Sequence, residues 1–181
     1  MRKDISDELI LKEFRKNRDR GFRFLFDKYH ERIYFHIRRI VILHEDADDA
    51  LQNTFLKIWK NLDKFRNESS IYTWLYRIAA NEAIAMVKKR KRHTGLPLDN
   101  LSDYFNSSEE SDKWFDIDEA ERKLRDAILK LPEKQKLVFN LKYYDDMSYE
   151  DMSEVLNTSV GALKASYHHA VKKIENYLTN S

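Results

Sequence analysis

Residues 148–163 read SYEDMSEVLNTSVGAL, and the fold of the chain turns on how this stretch is parsed. Ser148-Tyr149-Glu150-Asp151 has the form of a capping box, opening a short helix with Met152, Val155 and Leu156 inward. Asn157 follows where a left-handed residue is expected, a conformation Asn tolerates better than most side chains except Gly. Ser159 then caps a second helix whose apolar positions are Val160, Leu163, Tyr167, Ala170, Val171, Ile174 and Leu178. Lys164, Ala165, His168, His169, Lys172 and Lys173 are left facing outward. Two helices joined by so tight a turn, the second with a cationic outer face, match a helix-turn-helix with a major-groove recognition helix; the alternative is a plain helical hairpin. Upstream, a helix from about Glu119 to Leu131 precedes Pro132, which opens another with Leu137, Val138 and Leu141 on its apolar face.

Composition extends this helical reading to the whole chain. Three Gly and two Pro in 181 residues leave few punctuators for hairpins, which favours long helices over a sandwich or barrel. No Cys is present, so no disulfide framework, thiolate metal site or Cys nucleophile is available. The first eleven residues contain no secretory h-region. The longest aliphatic run, Ile40-Val41-Ile42-Leu43, is far short of the ~18 residues a spanning helix needs. A cytoplasmic protein without membrane insertion is therefore expected.

A net charge of +2 conceals a division along the chain. Residues 1–93 hold 22 Lys/Arg against 14 Asp/Glu, whereas residues 94–121 hold one Lys against nine acids. The first stretch is thus basic and the second strongly acidic. From Thr94 to about Asp118 no helical period survives, and Gly95, Pro97 and a Ser/Asn/Glu cluster predict a flexible linker. Its aromatics, Tyr104, Phe105, Trp114 and Phe115, either dock on a partner or pack back on a domain. The expected architecture is all-α: an N-terminal helical bundle (1–93), the acidic linker (94–118) and a C-terminal helix-turn-helix domain (119–181).

Within the bundle, Phe22, Leu25, Phe26, Tyr29, Ile33, Ile37, Ile40 and Val41 recur at helical spacing. Asp46 is a candidate N-cap for the next helix, with Asp48 and Asp49 in its first turn. Ala47, Leu51, Ile58 and Leu62 form its apolar stripe, and Asp49, Gln52, Phe55 and Trp59 fall largely off it. An exposed Phe and Trp would mark a protein-contact surface; the alternative is a helix buried on two sides. A loop over Phe65–Ser70 leads to a third helix from about Ile71 to Arg92, with Ile71, Leu75, Ile78, Ala79 and Met86 inward. Glu82 interrupts that stripe without an evident partner. Another face collects Ser70, Thr73, Arg77, Asn81, Ile84 and Lys88, flanked by Trp74. Cations to meet phosphate, with an amide and hydroxyls to reach base edges, suit a nucleic-acid surface. Tyr72, Trp74 and Tyr76 offer stacking faces, and Lys88-Lys89-Arg90-Lys91-Arg92 adds salt-dependent backbone affinity. An ordinary amphipathic helix with core aromatics and a basic end is the alternative, and Ile84 favours it.

No Ser/His/Asp, paired-carboxylate or Gly-rich phosphate motif occurs, so neither an enzyme nor a cofactor is expected. His168 and His169 point about 100° apart on a helix and cannot readily share one metal, and the other histidines lack ligand spacing.

Three stretches in order resemble bacterial RNA polymerase sigma factors of the small extracytoplasmic-function class, over nearly the whole chain. Residues 46–59, DADDALQNTFLKIW, resemble the polymerase-binding helix, and residues 65–81, FRNESSIYTWLYRIAAN, the promoter-melting segment. Residues 131–135, LPEKQ, and 147–151, MSYED, resemble the C-terminal domain. The resemblance implies that Asp49, Gln52, Phe55 and Trp59 bind the β′ clamp helices of core RNA polymerase, with the β flap as a further contact. Phe65, Arg66, Ser69, Ser70, Thr73, Trp74, Arg77, Asn81 and Lys88 would open the −10 element and hold a flipped base. Lys164, Ala165, His168, His169 and Lys172 would read the −35 element of promoter DNA. An anti-sigma factor is a further implied partner, and the acidic linker would thread toward the RNA exit path. The recognition helix departs from the family's Gly-Thr-Val-Lys/Arg-Ser-Arg pattern. It reads Gly161-Ala162-Leu163-Lys164-Ala165-Ser166 and then His168-His169. Fewer arginines remove the commonest bidentate contact to guanine and imply weaker binding by this domain alone. Two other functions fit the residues without the resemblance: a free-standing helix-turn-helix regulator acting without polymerase, and a protein-binding helical scaffold.

Overall fold

The computed structural model describes residues 5–41, 43–66, 68–94 and 119–180. Among these the regular structure is helical, with no strand, as the scarcity of Gly and Pro implies. The chain divides into two compact units, Met1–Val87 and Lys88–Ser181. The linker from Gly95 to Asp118, with its four aromatics, lies outside the described residues. Among the described residues no helix is long and apolar enough to cross a membrane.

The first unit opens with α1 (Asp7–Lys16), which hydrophobic periodicity did not single out. Ser6 caps it by accepting from the Leu9 N–H, and Asp7 and Glu8 complement the dipole of its first turn. Asn17 ends α1 and begins α2 (Arg18–Ile40): its N–H donates to the Glu13 carbonyl, while its side chain accepts from the Arg20 N–H at 2.9 Å. The two helices meet at backbone level, because Gly21 packs against the backbone of Phe14 with no room for a Cβ. Asp7 strengthens the contact, accepting from the Tyr29 hydroxyl at 2.7 Å and from Lys28 at 2.6 Å. Burial, and then the Asp7 carboxylate, hold the Tyr29 phenol well above its ordinary pKa, so it remains a donor. Ile10, Leu25, Ile33, Ile37, Ile58 and Leu75 fill the centre of the unit. Each side chain so buried is worth roughly 1.5–3 kcal/mol relative to an exposed one. Phe26, placed on this apolar stripe by its spacing, is instead exposed at one edge.

Helix α3 (His44–Asn61) begins three residues earlier than its acids suggest. Leu43 is its N-cap, without a side-chain bond, so Asp46 is not the cap. Glu45 and Asp46 lie within the first turn, where they face the positive end of the dipole instead. A 3-10 turn (Leu62–Lys64) and the stretch to Ser70 lead into α4 (Ile71–Thr94), inside which the division between the units falls.

In the second unit α5 (Glu119–Leu129), α6 (Glu133–Tyr143) and α7 (Tyr149–Leu156) each pack on α8 (Val160–Thr179). Their core holds Ala127, Ile128, Leu131, Phe139, Ala170 and Ile174. Leu178, assigned inward by its spacing, is exposed near the end of α8.

Candidate nucleic-acid interface

The turn between α7 and α8 forms as its residue types dictate. Ser148 accepts from the Asp151 N–H at 3.0 Å and donates its hydroxyl to the Asp151 carboxylate at 2.6 Å. The cap is therefore a serine–carboxylate pair with the third helical residue. Asn157 adopts φ 49° and ψ 49°, the left-handed conformation that turns the chain, and Ser159 caps α8 through the Ala162 N–H. Lys164, Ala165, His168, His169, Lys172 and Lys173 are all exposed. The rings of His168 and His169 lie 6.0 Å apart, tilted by 57°. Tyr149, at the start of α7, is flanked by two ammonium groups, those of Lys142 and Lys164, each 5.6 Å from its ring centroid. Neither Lys142 nor Tyr149 is marked by sequence spacing as part of the outward face of the recognition helix. Lys142 sits on α6, and only the packed tertiary arrangement brings it beside the recognition helix. Behind them Tyr167 stacks on Phe139, its phenol pKa raised by burial and then by neighbouring Tyr149.

On the first unit, Phe65 and Trp74 pack with ring centroids 5.3 Å apart, bracketing the stretch that contains Arg66, Ser69 and Ser70. Arg66 and Ser70 are exposed and Ser69 half-buried; Arg66 reaches Glu68 at a long 3.9 Å. Ser70 caps α4 by accepting from the Thr73 N–H at 3.0 Å, and the two hydroxyls are 2.8 Å apart. Thr73 is consequently buried and belongs to the cap, so it does not lie open to a base as its place on the helical period suggests. Tyr76 is also buried, between His36 and Tyr72, and offers no free stacking face. Arg77, Asn81 and Lys88 are exposed, and Ile84 is half-buried. Ser70, Arg77, Asn81 and Lys88 fall within about 40° of one another at 100° per residue.

The polymerase-facing candidates on α3 divide in two. Asp49 and Gln52 are exposed. Phe55 is only 6% exposed, against Phe22 and Phe26, so of the two alternatives for this helix the one buried on two sides holds at Phe55. Trp59 is half-buried between Phe14 and Phe22, with the Arg18 guanidinium 4.7 Å above its ring. The helix is therefore covered on two sides, by α2 and by α1 with its following turn. The apolar residue left on its outer face is Leu56, 49% exposed among Asp49, Gln52, Asn53 and Lys60. A leucine amid polar positions was the available signal in the sequence, hidden by the more conspicuous aromatics.

Residues 25–93 match sigma-70 region 2, and residues 121–174 match sigma-70 region 4. The ECF RNA polymerase sigma factor SigW of Bacillus subtilis is 30% identical over 178 residues, covering 93% of this chain and 94% of that protein. The ECF RNA polymerase sigma-E factor of Haemophilus influenzae is 28% identical over 185 residues, 97% of each. The fold is shared with CnrH, solved in complex with the cytosolic domain of CnrY. The TM-score is 0.71 at 20% identity, covering 97% of this chain and 98% of that one. It is shared too with the sigma factor RpoE of Bartonella quintana, solved with the anti-sigma factor NepR, at a TM-score of 0.65, 20% identity and coverage of 83% and 91%. The chain belongs to the extracytoplasmic-function family of RNA polymerase sigma factors.

Proposed function

We propose that this sigma factor seats core RNA polymerase on α3, opens the −10 element with α4 and the loop before it, and reads the −35 element with α8. It is an initiation factor and not an enzyme: it binds core RNA polymerase and directs promoter-specific initiation. Residues 1–93 form the polymerase-binding and melting module, 94–118 the acidic connection, and 119–181 the upstream module. Asp49, Gln52 and Leu56 would touch the β′ clamp helices, with Phe55 and Trp59 holding that surface from beneath. Phe65 and Trp74 would frame a flipped base, with Ser69 and Ser70 beside it. Arg66, Arg77 and Lys88 would meet phosphate, and Asn81 a base edge. Thr73 contributes by holding Ser70. Lys164, His168, His169 and Lys172 would contact the −35 duplex, with Ala165 against a thymine methyl. The β flap and an anti-sigma factor complete the set of partners, and the protein would act in the cytoplasm. The observation that carries this reading is the exposed row Ser70, Arg77 and Asn81 on the segment that matches sigma-70 region 2. That match also disfavours a free-standing helix-turn-helix regulator.

Transcription from a cognate promoter by purified core enzyme tests it. Reversing Arg77 and Lys88 to Glu should lower productive opening at least about tenfold while core binding persists, since phosphate contacts carry much of the affinity. Unchanged opening would remove α4 from the DNA surface.

A further inference from the structure

Glu82 is the one charged residue on the stripe of α4 otherwise formed by Ile71, Leu75, Ile78, Ala79 and Met86. Its side chain is only 12% exposed, and a carboxylate so placed requires a compensating charge. That charge comes from α3: the Lys57 ammonium donates directly to Glu82 Oε1. Lys57 is 57% exposed and sits next to Leu56, on the flank of the outer face of α3 that also carries Asn53 and Lys60. One ion pair therefore joins the helix assigned to polymerase with the helix assigned to promoter opening. Glu82 is the neighbour in sequence of Asn81, which belongs to the exposed row of α4.

Building on the function proposed above, we infer that Lys57 and Glu82 are positioning residues that couple polymerase docking to the melting surface of α4. In the free protein, water around the exposed Lys57 screens the pair. A polymerase surface laid over Leu56 and its neighbours displaces that water, and the lower local dielectric strengthens the attraction between the two charges. The tightened pair fixes the rotation of α4 about its axis, and with it the direction in which Arg77 and Asn81 point. Linkage requires the converse as well: an α4 held in that rotation favours polymerase docking by the same factor.

The test uses full-length protein assembled with saturating core enzyme on a promoter carrying a fluorescent base analogue in the −10 element. Strand opening, core affinity and thermal unfolding are measured side by side. Glu82→Gln keeps the shape and removes the charge. On saturating core enzyme it should slow opening roughly threefold to tenfold and, by the same linkage, weaken core affinity by no more than a similar factor, while the unfolding temperature holds. The exchanged pair Lys57→Glu with Glu82→Lys should recover at least half of that loss, a rescue that general weakening of the fold would not give. The inference is overturned if Glu82→Gln opens the promoter at the wild-type rate. A drop in opening that an equal loss of folding stability accounts for, or an exchanged pair that restores nothing, overturns it too. Asp49→Ala with Gln52→Ala, assayed in parallel, separates the two levels. If that variant binds core enzyme normally, the α3 assignment fails and the inference falls with it. If it binds weakly while Glu82→Gln is silent, the inference alone fails.

Discussion

At Gly21 two effects of opposite sign compete. Alanine is the better helix former by at most about 1 kcal/mol, and Gly21 is the fourth residue of α2. A Cβ there would overlap the backbone N and Cα of Phe14, atoms that cannot rotate aside as a side chain could. Overpacking of this kind costs about 1–3 kcal/mol once the helices shift apart. The clash outweighs the propensity gain, so Gly21→Ala is expected to lower the urea midpoint of the first unit. Gly161 supplies the control, since a Cβ there meets nothing within 4 Å. Gly161→Ala should leave the midpoint unchanged or raise it. Equal effects at the two positions would refute the backbone-contact account of the α1–α2 crossing. Neither outcome could be forecast from sequence, because both residues are glycines within helical patterns and only the neighbouring backbone distinguishes them.

Among the elements, legibility follows the range of the interactions that define each one. Both ends of α7 and the start of α8 are set by Ser148, Asn157 and Ser159 acting on groups at most three or four residues away, so the sequence displays them directly. The surroundings of α3 are set from far along the chain. Arg18 donates to the Asp63 carboxylate and to the Trp59 carbonyl, both at 2.6 Å, across separations of 45 and 41 residues. Its guanidinium also lies over the rings of Phe14 and Trp59. No local period records such a clamp, so the sequence leaves both alternatives open for Phe55 and Trp59, and the partner of Glu82 stayed hidden. The fork of the guanidinium is what lets one side chain satisfy a carbonyl and a carboxylate together. Arg18→Ala should therefore destabilise the first unit by about 1–2 kcal/mol, since a hydrogen bond to a charged group contributes ~1.5–3 kcal/mol and this one is partly solvated. Arg18→Lys, which keeps the charge and loses the fork, should recover less than half of the loss in chemical denaturation. Full recovery by Lys would show that charge alone fastens the end of α3.

For the whole molecule, a near-neutral total conceals a protein whose charge is distributed by task. The basic first stretch, net +8, and the acidic residues 94–121, net −8, cancel, which leaves residues 122–181 with a net charge of only +2. Lys164, Lys172 and Lys173 are the cations on the exposed face of α8, and the positions between them carry alanine and histidine. Phosphate neutralisation by lysine releases condensed counterions, so each such contact adds about 0.9 to the slope of log affinity against log salt. Lys164 and Lys172 point within about 80° of each other on α8, close enough to straddle one groove. Holoenzyme binding to duplex spanning the −35 element should then lose slightly less than two units of slope when Lys164 and Lys172 are both changed to Ala. The loss should be similar for related −35 sequences, because a phosphate contact carries no base information. Ala165→Ser should act in the opposite manner, altering preference among −35 sequences with little change in slope if this position meets a base edge as proposed. An unchanged slope in the double-lysine variant would place upstream contacts elsewhere on the second unit. Lys142, which shares the Tyr149 ring with Lys164, would then be the next cation to replace.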